Sequence, residues 1–234
     1  MPPVNMHEIE YLKIFATLLV LLYASILDYK YREIDNKSWL SLVVMGFIFN
    51  IYEFFISGSY EILKFLIISS ASGFLVAYIL YYTGTMGGGD GKIFMGIAAM
   101  FPLFPFTTFS LFPLFFLSVF ANSVFLSAFL PLIFFIKNIP NIKEIRSLKE
   151  VVLLFIGYKR EEKDVKEFEA VIARDGEINI FQNANLMELG TTGKSSKEVW
   201  VTPALPFVIP ITLGFILSLV YGDIVTWIVL RVMG

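Results

Sequence analysis

The chain alternates long apolar runs with short polar breaks, and the run lengths set its class. The first run extends from Ile14 to Leu27, with Tyr11 and Leu12 ahead of it; the second covers Trp39 to Ile56 and the third Ile62 to Tyr82. A helix needs about 20 residues to cross a bilayer core, so each of these predicts a membrane span. Ser57-Gly58-Ser59 leaves room only for a turn between the second and third. The fourth run, Ile93 to Phe101, is short and stops at Pro102 and Pro105. The fifth, from about Thr107 to Ile136, would be ~45 Å long as one helix, which predicts a tilt, a kink at Pro113 or Pro131, or a projection into water. The sixth, Ala204 to Tyr221, is interrupted by Gly222-Asp223 before Ile224 to Val232. The pattern predicts an all-α polytopic membrane protein with about six transmembrane helices. Lys13, at the edge of the first run, is expected to snorkel to the interface.

One stretch departs from this pattern. Between Lys137 and Trp200 lie 11 of the 18 Lys and Arg residues. Phe168, Ala170 and Ile172 alternate with polar positions, Asp175-Gly176 is a favoured two-residue turn, and Ile178 and Ile180 resume the alternation. This predicts a small, mostly β domain inserted before the last helix. Residues 1–137 then carry five helices, 138–202 the β-rich domain, and 203–234 the sixth helix. Residues 190–196 read as a loop. Lys30, Arg32 and Lys37 crowd one short polar segment, and by the positive-inside rule that segment, the glycine-rich stretch 83–92 and the β domain fall in the cytoplasm. Both termini fall outside. Glu8 and Glu10 stand where a signal peptide would be basic, so the first run reads as a retained helix.

Composition sharpens the class and removes chemistries. At 57% hydrophobic and 16% charged, the chain is more apolar and less charged than soluble domains. A net charge of −2 gives no reason to expect a nucleic-acid partner; the expected surroundings are the lipid bilayer. There is no cysteine, hence no disulfide, thiolate metal site or cysteine nucleophile, and the single histidine, His7, argues against a His-based triad or a His-ligated metal.

Two acids remain. Asp28 ends the first apolar run and Asp90 opens the fourth, and the predicted topology places both on one side of the membrane. An ionisable residue at such a boundary is a functional candidate by default. Two neighbouring carboxylates share a proton: the charged one can take a proton from water while the neutral one polarises a peptide carbonyl. Partial burial favours such sharing near neutral pH. Amide hydrolysis by this route needs no cofactor. Gly87, Gly88, Gly89 and Gly91 surround Asp90; glycine admits backbone angles closed to other residues and leaves backbone uncovered for water or an extended substrate.

Gly87-Gly88-Gly89-Asp90 matches the GxGD motif of the intramembrane aspartyl proteases. With the segment Asp28-Tyr29-Lys30-Tyr31-Arg32-Glu33-Ile34-Asp35-Asn36, and Gly89-Asp90-Gly91-Lys92 after it, the chain resembles type IV prepilin peptidases and, more closely, archaeal preflagellin peptidases. The resemblance implies that Asp28 and Asp90 are the catalytic pair and that Gly87, Gly88, Gly89 and Gly91 form the active-site loop. The implied partner is a preflagellin or type IV pilin-like precursor, with a short basic leader and a hydrophobic helix, cut at the cytoplasmic face of the cell membrane. Two departures stand out. Many prepilin peptidases have proline where this chain has Asp35. The bifunctional bacterial enzymes carry a cysteine-rich region and methylate the new N-terminus; without that region, cleavage without methylation is expected.

Other readings are weaker. Met86 and Ile93 break a phosphate-loop reading of Gly91-Lys92, and Lys92 breaks a dinucleotide fingerprint. Asp35 reads as solvated, Glu53, Glu61 and Asp223 as interfacial caps, and Glu161, Glu162, Asp164, Glu167 and Glu169 as a solvated face. Pro203-Ala204-Leu205 matches a presenilin tripeptide by three residues only. A proton- or cation-coupled transporter is the alternative from another class; it expects an internal repeat with matching glycine breaks, and the chain has none.

Overall fold

A computed structural model describes residues 6–106, 110, 112–144, 147–174, 177–178 and 197–233. The chain forms two compact units, Met1–Ser127 with Pro206–Gly234, and Ala128–Leu205.

In the first unit, α1 (Met6–Tyr31) has no internal glycine or proline. Its buried residues, Ile9, Lys13, Thr17, Leu21, Ala24 and Asp28, recur every three or four positions and so form one stripe. The remaining faces carry exposed Phe15, Leu19 and Leu22, the pattern of a helix bathed in hydrocarbon. The helix ends at Arg32, whose φ of 55° is left-handed; its N–H still donates to the Asp28 carbonyl at 3.0 Å. α2 (Asn36–Ser57) starts at Asp35, whose carboxylate accepts the Ser38 N–H at 3.0 Å, so Asp35 is a cap rather than a solvated acid. Gly58 closes it in the left-handed conformation. α3 (Tyr60–Tyr82) follows.

α4 (Gly88–Met100) is the innermost of these helices, buried nearly all round from Gly91 to Met100. Its approach to α2 needs Gly46, where an added Cβ would stand 2.6 Å from the Ala99 carbonyl. At 13 residues α4 is about 20 Å long, too short to cross. Its last carbonyls therefore need partners inside the protein. Asn50 Nδ2 donates to Ala99 O at 3.1 Å and Met100 O at 3.3 Å, and Ser69 Oγ donates to Ala98 O at 2.8 Å.

α5 (Phe115–Ser127) begins after Pro113. The fifth run breaks at Ala128, because Pro131 has no N–H to offer the carbonyl of Ser127, the last residue of α5. α8 (Val208–Tyr221) packs on α5, and Phe101, Phe115 and Phe215 meet with ring centroids 5.3–5.6 Å apart. α9 (Ile224–Met233) is bent by 56° from α8 at the expected Gly222-Asp223 break. Asp223 is fully buried there; it accepts the Thr226 N–H at 2.6 Å and the Ser110 hydroxyl at 2.9 Å. It is a cap, as expected, but an interior one.

Among the described residues, α1, α2, α3 and the stretch Phe115–Lys143 are long and apolar enough to cross a membrane, and α8 with α9 makes a fifth if the bent pair is one span. The polytopic helical class stands; six spans are not established, since α4 falls short. Lys13 corrects its expectation outright. It does not snorkel but lies buried, 2.7 Å from Glu53, 3.3 Å from Glu10 and 3.3 Å from Asn50 Oδ1. An ammonium with carboxylates in reach is compensated without going to water. Glu53 is accordingly a buried ion-pair partner and not an interfacial cap.

Among the described residues, the second unit holds α6 (Phe129–Asn138), a 3₁₀ turn (Ile139–Glu144), α7 (Leu148–Ile156) and four strands: β1 (Tyr158–Glu161), β2 (Glu169–Arg174), β3 (Glu177–Ile178) and β4 (Glu198–Pro203). The sheet is antiparallel in the order β1-β4-β2-β3, with β3 a two-residue edge. The predicted hairpin is the β2–β3 pair, Ala173 opposite Ile178; Asp175-Gly176, Ile180 and the loop 190–196 lie outside the described residues. A bulge between Val171 and Ala173 puts Ile172 and Ala173 both in the interior, against Leu153, which breaks the strict alternation read from sequence. α7 was not anticipated. The acidic stretch is also not uniformly solvated: Glu162 and Glu169 are buried, the first paired with Arg174, the second 3.3 Å from Arg160.

Candidate active site

Asp28 stands one turn before the end of α1, on the helix's buried stripe. Its Oδ2 accepts the backbone N–H of Val208 at 3.0 Å. Val208 is the first residue of α8, and the opening N–H groups of a helix have no partner within it. The carboxylate supplies one, at the positive end of the helix dipole.

Asp90 lies in the first turn of α4 and is half-buried. Its carboxylate lies close against Gly87. Asp28 and Asp90 line one cavity of about 330 Å³, with Arg32, Glu33 and Lys92. The fold thus brings together both predicted acids and the glycine run.

The glycines work differently from their expected role. None of Gly87, Gly88, Gly89 and Gly91 has positive φ, because three of them lie inside α4 and Gly87 is its extended N-cap. What they permit is contact. An added Cβ at Gly87 would stand 3.0 Å from Asp90 Oδ2, and one at Gly89 would stand 2.9 Å from Ile34 Cδ1. Missing side chains let the Asp90 turn sit directly under the loop that follows Asp28.

Lys92 Nζ donates to Asn36 Oδ1 at 2.9 Å and lies 5.8 Å from the Trp39 ring centroid, and Trp39 Nε1 donates to the same oxygen at 3.1 Å. This ties the start of α4 to the start of α2. Sequence reasoning missed Asn36 and Trp39, and it missed Val208, which lies 180 positions from Asp28. Pro203 is the last residue of β4, and the Ala204 N–H donates to Phe168 O at 2.8 Å.

Among the described residues no three His, Cys, Asp or Glu side chains cluster as metal ligands would. The chemistry that two acids in one cavity can offer is general acid–base catalysis, because like charges held close disfavour double ionisation.

Comparison with known proteins bears on this arrangement. The type IV leader peptidase family matches residues 15–138, and the archaeal peptidase A24 type II C-terminus matches residues 132–224. A preflagellin peptidase of Methanococcus maripaludis is 34% identical over 218 residues, 88% of this chain and 93% of its own. That of Methanocaldococcus jannaschii is 34% identical over 227 residues, 92% and 95% of the two chains. That of Methanococcus voltae is 36% identical over 232 residues, 91% and 96%.

Proposed function

The chain belongs to the type IV leader peptidase family, and on that premise we propose that Asp28 and Asp90 are its paired catalytic carboxylates. The protein is a membrane aspartic endopeptidase that cleaves leader peptides. The observation that carries the catalytic assignment is the single cavity lined by both acids from two different helices.

In this reading the ionised carboxylate takes a proton from a water held between the acids. The resulting hydroxide adds to the scissile carbonyl carbon, and the protonated carboxyl hydrogen-bonds the carbonyl oxygen as it gains charge. Collapse of the tetrahedral intermediate breaks the C–N bond, and a carboxyl proton goes to the leaving amine. The Val208 N–H holds Asp28 in orientation, and Gly87 packs closely on Asp90. Gly88, Gly89 and Gly91 keep the loop low enough for a peptide to lie across it.

The relatives are named for preflagellin, so the substrate in this reading is a preflagellin or type IV pilin-like precursor with a short basic leader ahead of a hydrophobic helix. The cut falls at the cytoplasmic face of the cell membrane. Residues 138–202 face the same side as a cytoplasmic domain, and the new N-terminus is left unmethylated. The transporter alternative gains nothing from the relatives, which are peptidases.

The test is cleavage of Methanococcus maripaludis preflagellin by the purified protein in detergent, with N-terminal sequencing of the product. Cleavage by the intact protein, lost in Asp28→Asn and in Asp90→Asn, supports the assignment. Retained cleavage in either variant removes it.

A further inference from the structure

A second cavity, about 410 Å³, opens beside the first. Gly88, Gly89 and Lys92 line both, so the two cavities adjoin along the first turns of α4. Their linings differ in kind. The first holds Asp28, Arg32, Glu33, Asp90 and Lys92. The second is walled by Trp39, Phe74, Tyr78, Tyr81 and Met95, and Lys92 at the shared edge is its only charged residue. A volume of this order suits a small ligand or a few side chains.

Phe74, Tyr78 and Tyr81 are each more than half exposed, on α3, a helix long and apolar enough to cross a membrane. The groove is therefore open on a face that hydrocarbon covers, and its occupant can enter sideways from the bilayer. An aqueous loop would have to leave its backbone unsatisfied there.

We infer that this groove is the subsite for the apolar residues that follow the scissile bond, and that Trp39, Tyr78 and Met95 select them by size. The inference rests on Asp28 and Asp90 being the catalytic pair. The occupant must be polar up to the acids and apolar beyond them, because the lining changes at Gly88, Gly89 and Lys92. A membrane-held polypeptide cut where its apolar segment begins has this character, whereas a lipid chain has no polar half to lay over the carboxylates.

The cysteine-free sequence makes the test clean. Asp90→Asn carrying Met95→Cys is mixed in detergent with Methanococcus maripaludis preflagellin bearing a single cysteine, walked residue by residue across the cut, and disulfides are formed by mild oxidation. Cross-links confined to positions just after the cut are expected. Cross-links confined to leader positions, or none, overturn the inference, and cross-linking only to a second enzyme copy assigns the groove to self-association instead.

Kinetics supply an independent reading. Met95→Trp fills the groove and should lower kcat/KM, chiefly through KM, by about ten-fold for a precursor with a large first residue after the cut. It should do so much less for one with alanine there. Tyr78→Ala, on an exposed position that folding tolerates, should shift preference toward larger residues. Unchanged preference in both variants, with unchanged elution profiles, means that the groove holds only lipid. If Asp90→Asn itself still cleaves, the catalytic assignment fails; if it is inactive and only the groove variants behave as wild type, this inference alone fails.

Discussion

The backbone N–H of Val208 donates to Oδ2 of Asp28 across 3.0 Å, joining the start of one helix to an acid near the end of another. Asp90 packs against Gly87 at the start of its own helix. Asp28 is thus held by a backbone donor that a change of its side chain leaves in place, and Asp90 by local packing.

Replacing either acid by its amide should therefore remove chemistry without removing structure. Asp28→Asn and Asp90→Asn should each reduce preflagellin cleavage by about three orders of magnitude or more, with unchanged membrane insertion and thermal unfolding. Because the two act as one unit, the double variant should be no worse than either single one.

Gly89 meets Ile34 so closely that a methyl group must displace it. Gly89→Ala should lower activity by about ten-fold or more by lifting the Asp90 turn. Ile34→Ala in the same chain should restore part of the loss, since it removes Cδ1 and Cγ1 while leaving Cβ 3.2 Å away. A cycle of the two single variants and the double variant measures the coupling.

Lys13 pairs with Glu53 in the interior and with the partly exposed Glu10. Lys13→Met leaves two acids without their partner and should lower stability by about 3–5 kcal/mol, read as thermal unfolding in detergent. Combining it with Glu10→Gln and Glu53→Gln should return most of that. If Lys13→Met unfolds like the parent, the buried ion cluster is not what holds α1 to α2.

In the second unit, burial and the hydrogen bond to Glu169 push the Tyr158 hydroxyl above its usual value near 10. A raised folded value means that the unfolded chain loses this proton first. The stabilisation is complete below pH ~10 and fades as pH rises through the folded value. Tyr158→Phe should flatten the alkaline decline in unfolding temperature; an identical decline in both proteins would contradict this linkage.

Much of the candidate site was legible because it is short-range. Asp28 and Asp90 stand at boundaries between apolar run and polar loop, and the glycines flank Asp90 in sequence. Those glycines were expected to use backbone angles closed to other residues, and they do not; they matter for what Ile34 and Asp90 bring near them. The β hairpin was legible from alternation, but the bulge after Val171 was not, because a bulge depends on pairing with β4.

Run lengths alone determined that the chain is a polytopic membrane protein, since the hydrocarbon layer has a fixed thickness and helical rise is constant. The Gly222-Asp223 interruption was legible too, and the fifth run breaks near Pro131, one of the two prolines named for it. Packing decided the rest: that Lys13 goes inward, that Asn50 ends α4, and that Val208 faces Asp28. Periodicity reports which face of a helix is apolar, whereas partners of a buried polar group come from other helices, at distances along the chain to which no local pattern is sensitive.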